Sequence, residues 1–145
     1  MEEIILHQVN CMGVMGAGFA KYVRDTFPDL YFEYKRICNQ VNYLYGINPK
    51  PAQPKDLLGQ VFIYYDENYI ILNMFSQLNY GRNKCQTDYE AMEKALKYIR
   101  GQYPDNKITA PKYIGYGNAG GDWNIVSKLL EKYNISTSEN IVFKK

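Results

Sequence analysis

The sequence predicts a three-layer α/β/α domain with a mixed, largely parallel central sheet. Short apolar runs of strand length alternate with stretches of helical periodicity, which is the pattern of layered α/β folds. The first apolar run passes directly into a glycine-rich turn and then a helix, and the same succession recurs near the end of the chain. The 145 residues suit one domain, residues 1–145, large enough to bury a core without disulfides or metal.

Residues 3–10, EIILHQVN, read as a buried strand that stops at Asn10-Cys11-Met12-Gly13. After the turn Gly13–Gly18, the residues Phe19, Tyr22, Val23 and Phe27 recur at helical spacing, and Pro28 opens a second helix. Leu30, Tyr31, Tyr34, Ile37 and Cys38 share one face of it. Residues 46–59 carry three prolines and two glycines and read as a surface connection. Val61–Tyr65 and Tyr69–Phe75 form a hairpin around Asp66-Glu67-Asn68, and 76–87 is a polar loop. Asp88 caps a helix bearing Tyr89, Met92, Leu96 and Ile99 on one side. Ile108–Ile114 is the next strand, despite Pro111. Asp122 caps a last helix with Trp123, Val126, Leu130 and Tyr133 inward, and Ile141–Phe143 closes the sheet. The expected order is β-α-α-β-β-α-β-α-β.

Composition narrows the function. A net charge of +2, from 17 basic and 15 acidic residues, gives no field for non-specific nucleic-acid binding. Three cysteines, Cys11, Cys38 and Cys85, form no CxxC pair and no even framework, so the chain reads as a reduced, cytoplasmic protein without a leader. No apolar run reaches the roughly 20 residues of a membrane helix. With one histidine, no metal site is expected, nor any cofactor.

The chemistry is expected in the two glycine loops, Gly13-Val14-Met15-Gly16-Ala17-Gly18 and Gly115-Tyr116-Gly117-Asn118-Ala119-Gly120-Gly121. Each lies between a strand and a helix, where N–H groups and the helix dipole favour an anion. Neither is a GK[ST] phosphate loop or a GxGxxG fingerprint. Two such loops at the carboxyl edge of one sheet could hold a diphosphate from both sides.

These residues resemble a known family. His7-Gln8-Val9-Asn10-Cys11-Met12-Gly13-Val14-Met15-Gly16-Ala17-Gly18-Phe19-Ala20 is similar to the first signature of macrodomains. Ile114–Trp123 is similar to the second, and Asn73-Met74-Phe75-Ser76-Gln77 also fits. The branch resembled contains ADP-ribose-1''-phosphate phosphatases and ADP-ribosyl glycohydrolases. The resemblance implies ADP-ribose or a derivative as partner. It places the Gly13–Gly18 loop along the distal ribose and diphosphate and Gly117–Gly121 over the diphosphate from the other side, with Phe75, Ser76, Gln77, Gly115 and Tyr116 also among the ligand-binding residues. It gives Asn10 the distal ribose. Nucleic acid enters only as an ADP-ribosylated substrate; no membrane is involved, and the oligomeric state stays open.

The departures matter as well. The first strand with its adenine-reading aspartate is absent from the sequence, so another residue would read the adenine. Gln77 stands where the glycohydrolases carry lysine, and Ala119 where some add an aspartate, which disfavours glycosidic cleavage by that route. The resemblance instead implies phosphatase chemistry, hydrolysis of ADP-ribose-1''-phosphate, with His7 as acid or base and Asp122 as the second group. His7 reads equally as a core histidine with one hydrogen bond, Asp122 as a helix cap, and Ser76 as a loop hydroxyl. Glycohydrolysis and binding without turnover are the alternatives. Cys11 is a poor nucleophile, because burial raises a thiol pKa. Tyr80 and Arg82 belong to a loop that could cover the ligand.

Overall fold

A computed structural model describes residues 2–45, 53–81, 85–115 and 119–145. The elements run β1 (Glu3–Asn10), α1 (Gly18–Thr26), α2 (Pro28–Tyr45), a 3-10 turn (Pro54–Leu57), β2 (Val61–Tyr65), β3 (Tyr69–Gln77), α3 (Tyr89–Gln102), β4 (Ile108–Pro111), α4 (Trp123–Lys132) and β5 (Ser136–Ser138). The sheet order is β2-β3-β1-β4-β5. β1 runs parallel to both β3 and β4, β4 parallel to β5, and only the hairpin strand β2 is antiparallel.

β1 is central and covered on both faces, which is why it reads as a continuous apolar run. Its even positions, Ile4 and Leu6, join Met92, Leu96 and Ile99 of α3 and Val126 and Leu130 of α4. Its odd positions, Ile5 and Val9, join Val23 and Phe27 of α1 and Leu30, Tyr34 and Cys38 of α2. The helices therefore lie as two pairs on opposite faces, the expected three-layer α/β/α arrangement. Each buried Leu, Ile, Phe or Met side chain contributes about 1.5–3 kcal/mol through removal from water.

The two aspartate caps form as the sequence predicts. Asp88 accepts from the Ala91 N–H at 2.9 Å, and Asp122 from the Asn124 N–H at 2.8 Å. The C-terminal region differs from expectation. The closing strand is Ser136–Ser138, not Ile141–Phe143. Phe143 buries its ring against Phe27 and Tyr69, with centroids 4.8 and 5.1 Å away. Its N–H donates to the Tyr22 hydroxyl at 2.8 Å, so the segment packs under α1 instead of pairing with a strand. β4 also ends early, at Pro111. A turn closed by the Ile114 N–H on the Pro111 carbonyl, 3.1 Å, follows it, and Tyr113 takes the left-handed φ of 66°. Of the proline-rich connection, residues 46–52 lie outside the described residues, and its remainder holds the 3-10 turn. Among the described residues, no helix is long and apolar enough to cross a membrane.

Candidate functional site

The carboxyl ends of β1, β3 and β4 open onto a cavity of about 620 Å³. Its walls come from β1 (His7–Asn10), the first glycine loop and first turn of α1 (Val14, Gly16–Ala20), Gln77, Tyr80 and Gly81, the turn Pro111–Gly115, and Ala119. This is where ligands sit in open sheets with parallel strands.

The first loop is shaped by Asn10. Its Oδ1 accepts from the main-chain N–H of Met12 at 2.9 Å, and its Nδ2 donates to the Val14 carbonyl at 2.7 Å. A second support comes from α2. The buried Tyr34 hydroxyl donates to the Asn10 carbonyl oxygen at 2.7 Å, with Oδ1 at 2.9 Å. Burial holds that phenol protonated, well above its ordinary range. Asn10 thus braces the loop with its amide and also lines the cavity, where the resemblance places the distal ribose. Gly13 adopts φ 82°, a conformation open to glycine.

The loop delivers an uncapped helix end to the cavity. Ala17, the residue before α1, has no side-chain oxygen to satisfy the first N–H groups, and no acidic residue stands in the first turn. Those N–H groups carry the positive end of the helix dipole. Gly16, Ala17 and Gly18 are exposed there. The N-terminus of α4 is different, because Asp122 already occupies it with a carboxylate. Asp122 does not line the cavity, and its own N–H donates to the Tyr89 hydroxyl at 2.9 Å.

A buried polar chain ties the second loop to the sheet. Gln8 Nε2 donates to the Ser76 carbonyl at 3.0 Å and to Thr87 Oγ1 at 3.2 Å. Thr87 Oγ1 donates to the Gly115 carbonyl at 2.7 Å, which also accepts from the Gly121 N–H at 2.9 Å. A Cβ on Gly121 would stand 2.2 Å from that carbonyl oxygen, so only glycine fits.

His7 forms part of the cavity wall with 1% of its surface exposed. Its Nε2 lies 2.6 Å from Asn73 Oδ1 on the neighbouring strand. Asn73 Nδ2 donates to the carbonyls of Phe62, at 2.9 Å, and Ile71, at 3.3 Å. That fixes Oδ1 toward the imidazole, so His7 Nε2 carries the proton. Nδ1 is buried and unpartnered among the described residues. Phe19 stands edge-on to the ring, with centroids 5.9 Å apart. Burial pushes the imidazole pKa from 6.5 down to about 4, against an opposing pull from the Asn73 hydrogen bond. The neutral ring thus donates from Nε2 to Asn73 and leaves Nδ1 as a lone-pair acceptor.

The cavity therefore collects His7, Asn10, Val14, Gly16, Ala17, Gly18, Gln77, Gly115 and Ala119 from the residues singled out by sequence. Gly13, Met15 and Phe75 lie in the buried layer beneath. Ser76 is also buried, with an unpartnered Oγ. Gly120 and Gly121 lie outside the lining, and Tyr116, Gly117, Asn118 and Arg82 lie outside the described residues. Cys11 is buried, and burial holds its thiol up at about 12. The wall also contains Gln8 and Phe19, which the first signature spans without a role for them, and Lys112 and Tyr113, which lie outside both signatures. Tyr113 is 47% exposed, packs edge-on to Trp123 at 5.6 Å, and lies under the Lys112 ammonium at 5.2 Å. Its position on the rim follows from the early end of β4 at Pro111, the local signal against a longer strand.

The architecture is the macrodomain fold. The macrodomain of Mycobacterium tuberculosis DarG superposes with a TM-score of 0.68 at 20% identity, covering 94% of this chain and 86% of that one. Thermosipho africanus DarTG, determined in complex with ADP-ribose, superposes with a TM-score of 0.68 at 21% identity, covering 94% of this chain and 37% of that one. In sequence, the chain is 27% identical over 133 residues to a DNA ADP-ribosyl transferase-DNA ADP-ribosyl glycohydrolase fusion protein of Thermosipho africanus (strain H17ap60334). The match covers 86% of this chain, which spans about a third of that relative, 34% of its length. No family model matches the chain.

Proposed function

We propose that the cavity binds ADP-ribose or a derivative substituted at C1'' of the distal ribose. The uncapped N-terminus of α1 at the cavity wall carries this reading. A diphosphate there would accept from N–H groups that the N-cap residue, Ala17, leaves uncapped, and it would meet no carboxylate in that first turn. The volume of about 620 Å³ is within the usual range for small-molecule and cofactor sites. The ADP-ribose complex of the DarTG neighbour supports the same ligand class.

For the reaction we favour hydrolysis at the C1'' end, with ADP-ribose-1''-phosphate as first substrate. Water would attack phosphorus, the bond from phosphorus to the ribose oxygen would break, and that oxygen would take a proton. A neutral His7 holds the sugar as an acceptor in this scheme, and Asp122 takes no part. The named activity of the curated relative supports a second reading, release of ADP-ribose from DNA. Gln77 at the cavity wall offers neither a nucleophile nor a cation, so water would have to attack C1'' directly.

Calorimetry with ADP-ribose tests the binding. Phosphate release from ADP-ribose-1''-phosphate and label release from ADP-ribosylated DNA separate the two reactions. A ligand at 100 times its Kd should also add about 2.7 kcal/mol of stability. Absence of both heat and thermal shift with ADP-ribose would overturn the assignment.

A further inference from the structure

We propose that Asn73 is a positioning residue that locks His7 in the Nε2–H tautomer, so that Nδ1 meets the ligand as a pure acceptor and takes a sugar hydroxyl there. This deepens the binding reading above and rests on it for the identity of the sugar. The lock has three parts. Asn73 is fully buried, and its amide cannot turn over, because Nδ2 is held by the carbonyls of Phe62 and Ile71. Oδ1 therefore faces His7 Nε2 at 2.6 Å, and an oxygen acceptor at that distance requires the proton on Nε2. The other ring nitrogen is a buried lone pair without a partner among the described residues, on a side chain that lines the cavity.

A buried acceptor without a donor is unfavourable, so a ligand that supplies an O–H there relieves that penalty. An ionised phosphate oxygen at the same spot would set lone pair against lone pair. The tautomer thus selects which end of an ADP-ribose-like molecule sits on β1: the sugar, with the diphosphate at α1. Asn10 lines the same cavity, but its Oδ1 already accepts from the Met12 N–H and the Tyr34 hydroxyl, so the unpartnered acceptor on β1 among the described residues is His7 Nδ1.

The test uses the fact that the chain has one histidine. In protein labelled with ¹⁵N-histidine, the unligated wild type should show Nε2 as the protonated, pyrrole-type nitrogen and Nδ1 as the bare, pyridine-type one at neutral pH. The reverse pattern, or fast averaging of the two, overturns the lock whether or not any variant folds. Asn73→Asp keeps the shape and offers a carboxylate. It should raise the pH at which the ring protonates and turn Nδ1 into a donor. Affinity for ADP-ribose should then fall about tenfold relative to ADP, which lacks the distal sugar, while ADP itself changes less than twofold. Equal losses for ADP and ADP-ribose, or no loss for either, overturn the sugar contact. If wild-type protein binds neither nucleotide, the binding assignment fails and the sugar contact with it, and the nitrogen spectra still decide the tautomer.

Discussion

The Tyr34 hydroxyl lies 2.7 Å from the Asn10 carbonyl oxygen and 2.9 Å from its Oδ1, joining the middle of α2 to the end of β1. Between them these residues set the first glycine loop, because Asn10 bonds the main chain of Met12 and Val14 directly. Tyr34→Phe keeps the ring and removes only the hydroxyl. It should cost about 1–2 kcal/mol in denaturant unfolding, the usual result of leaving a buried acceptor unpaired. ADP-ribose affinity should fall with it, since the loop loses its support from below. Unchanged stability would show that the hydroxyl contributes nothing to the brace.

Glycine substitutions should separate sharply by position. At Gly121 a methyl would meet the Gly115 carbonyl oxygen at 2.2 Å, so Gly121→Ala must break the turn that carries the second loop. A loss of more than about 2 kcal/mol is expected, together with weaker ligand binding. Gly101 lies in the last turn of α3, and nothing stands within 4 Å of an added methyl. Gly101→Ala should stabilise the protein by about 0.4–1 kcal/mol and leave binding alone. Thermal unfolding of the two variants in one buffer checks both signs.

The elements that the sequence shows well are those whose own side chains define them. β1 is apolar at consecutive positions because both of its faces are covered, and α3 and α4 open on aspartates that cap them. β5 is Ser-Thr-Ser and carries no apolar signal, because it exists through its hydrogen bonds to β4. Phe143 looks like a strand residue and is instead a plug among Phe27, Tyr22 and Tyr69. The site divides in the same way. Glycine loops between strand and helix are local features, so the Gly16–Gly18 wall was readable. The state of His7 depends on Asn73, which is 66 positions away and comes opposite it only through the β1–β3 register. Asn10 belongs to the cavity wall as its motif suggests, but its turn with Met12 and Val14, and the hydroxyl arriving from α2, are invisible in that motif.

The single histidine also makes acid stability a readable quantity. An unfolded imidazole takes up its proton as pH falls through 6.5, whereas the folded one resists until about 4. Between those values the unfolded state binds more protons, so stability must fall as pH falls. The gap corresponds to about 3 kcal/mol at most, fully lost below pH 4. Desolvation is the leading cause, opposed by the hydrogen bond to Asn73. Carboxylates titrate near the lower limit, so the measurement is the difference between wild type and His7→Gln at each pH. That difference should shift by up to about 3 kcal/mol against the wild type between pH 7 and pH 4. A flat difference would mean that the folded ring titrates like a free one.

The bare N-terminus of α1 yields the sharpest test of where the diphosphate sits. Ala17 is exposed, extended (φ −151°) and followed directly by the helix, which is the geometry of a residue that could cap it. An aspartate in that place would accept from the first-turn N–H groups and complement the helix dipole. Ala17→Asp should therefore raise unfolding stability by about 1 kcal/mol. The same carboxylate would occupy the donors proposed for the diphosphate and repel its charge, so ADP-ribose affinity should fall at least about tenfold. Stability and binding moving in opposite directions cannot come from general damage to the fold. Ala17→Ser separates the contributions, because it supplies a cap without a charge: it should keep most of the stability gain and lose less affinity than the aspartate. Wild-type affinity in Ala17→Asp, measured in a variant shown to be more stable, would move the diphosphate away from this helix.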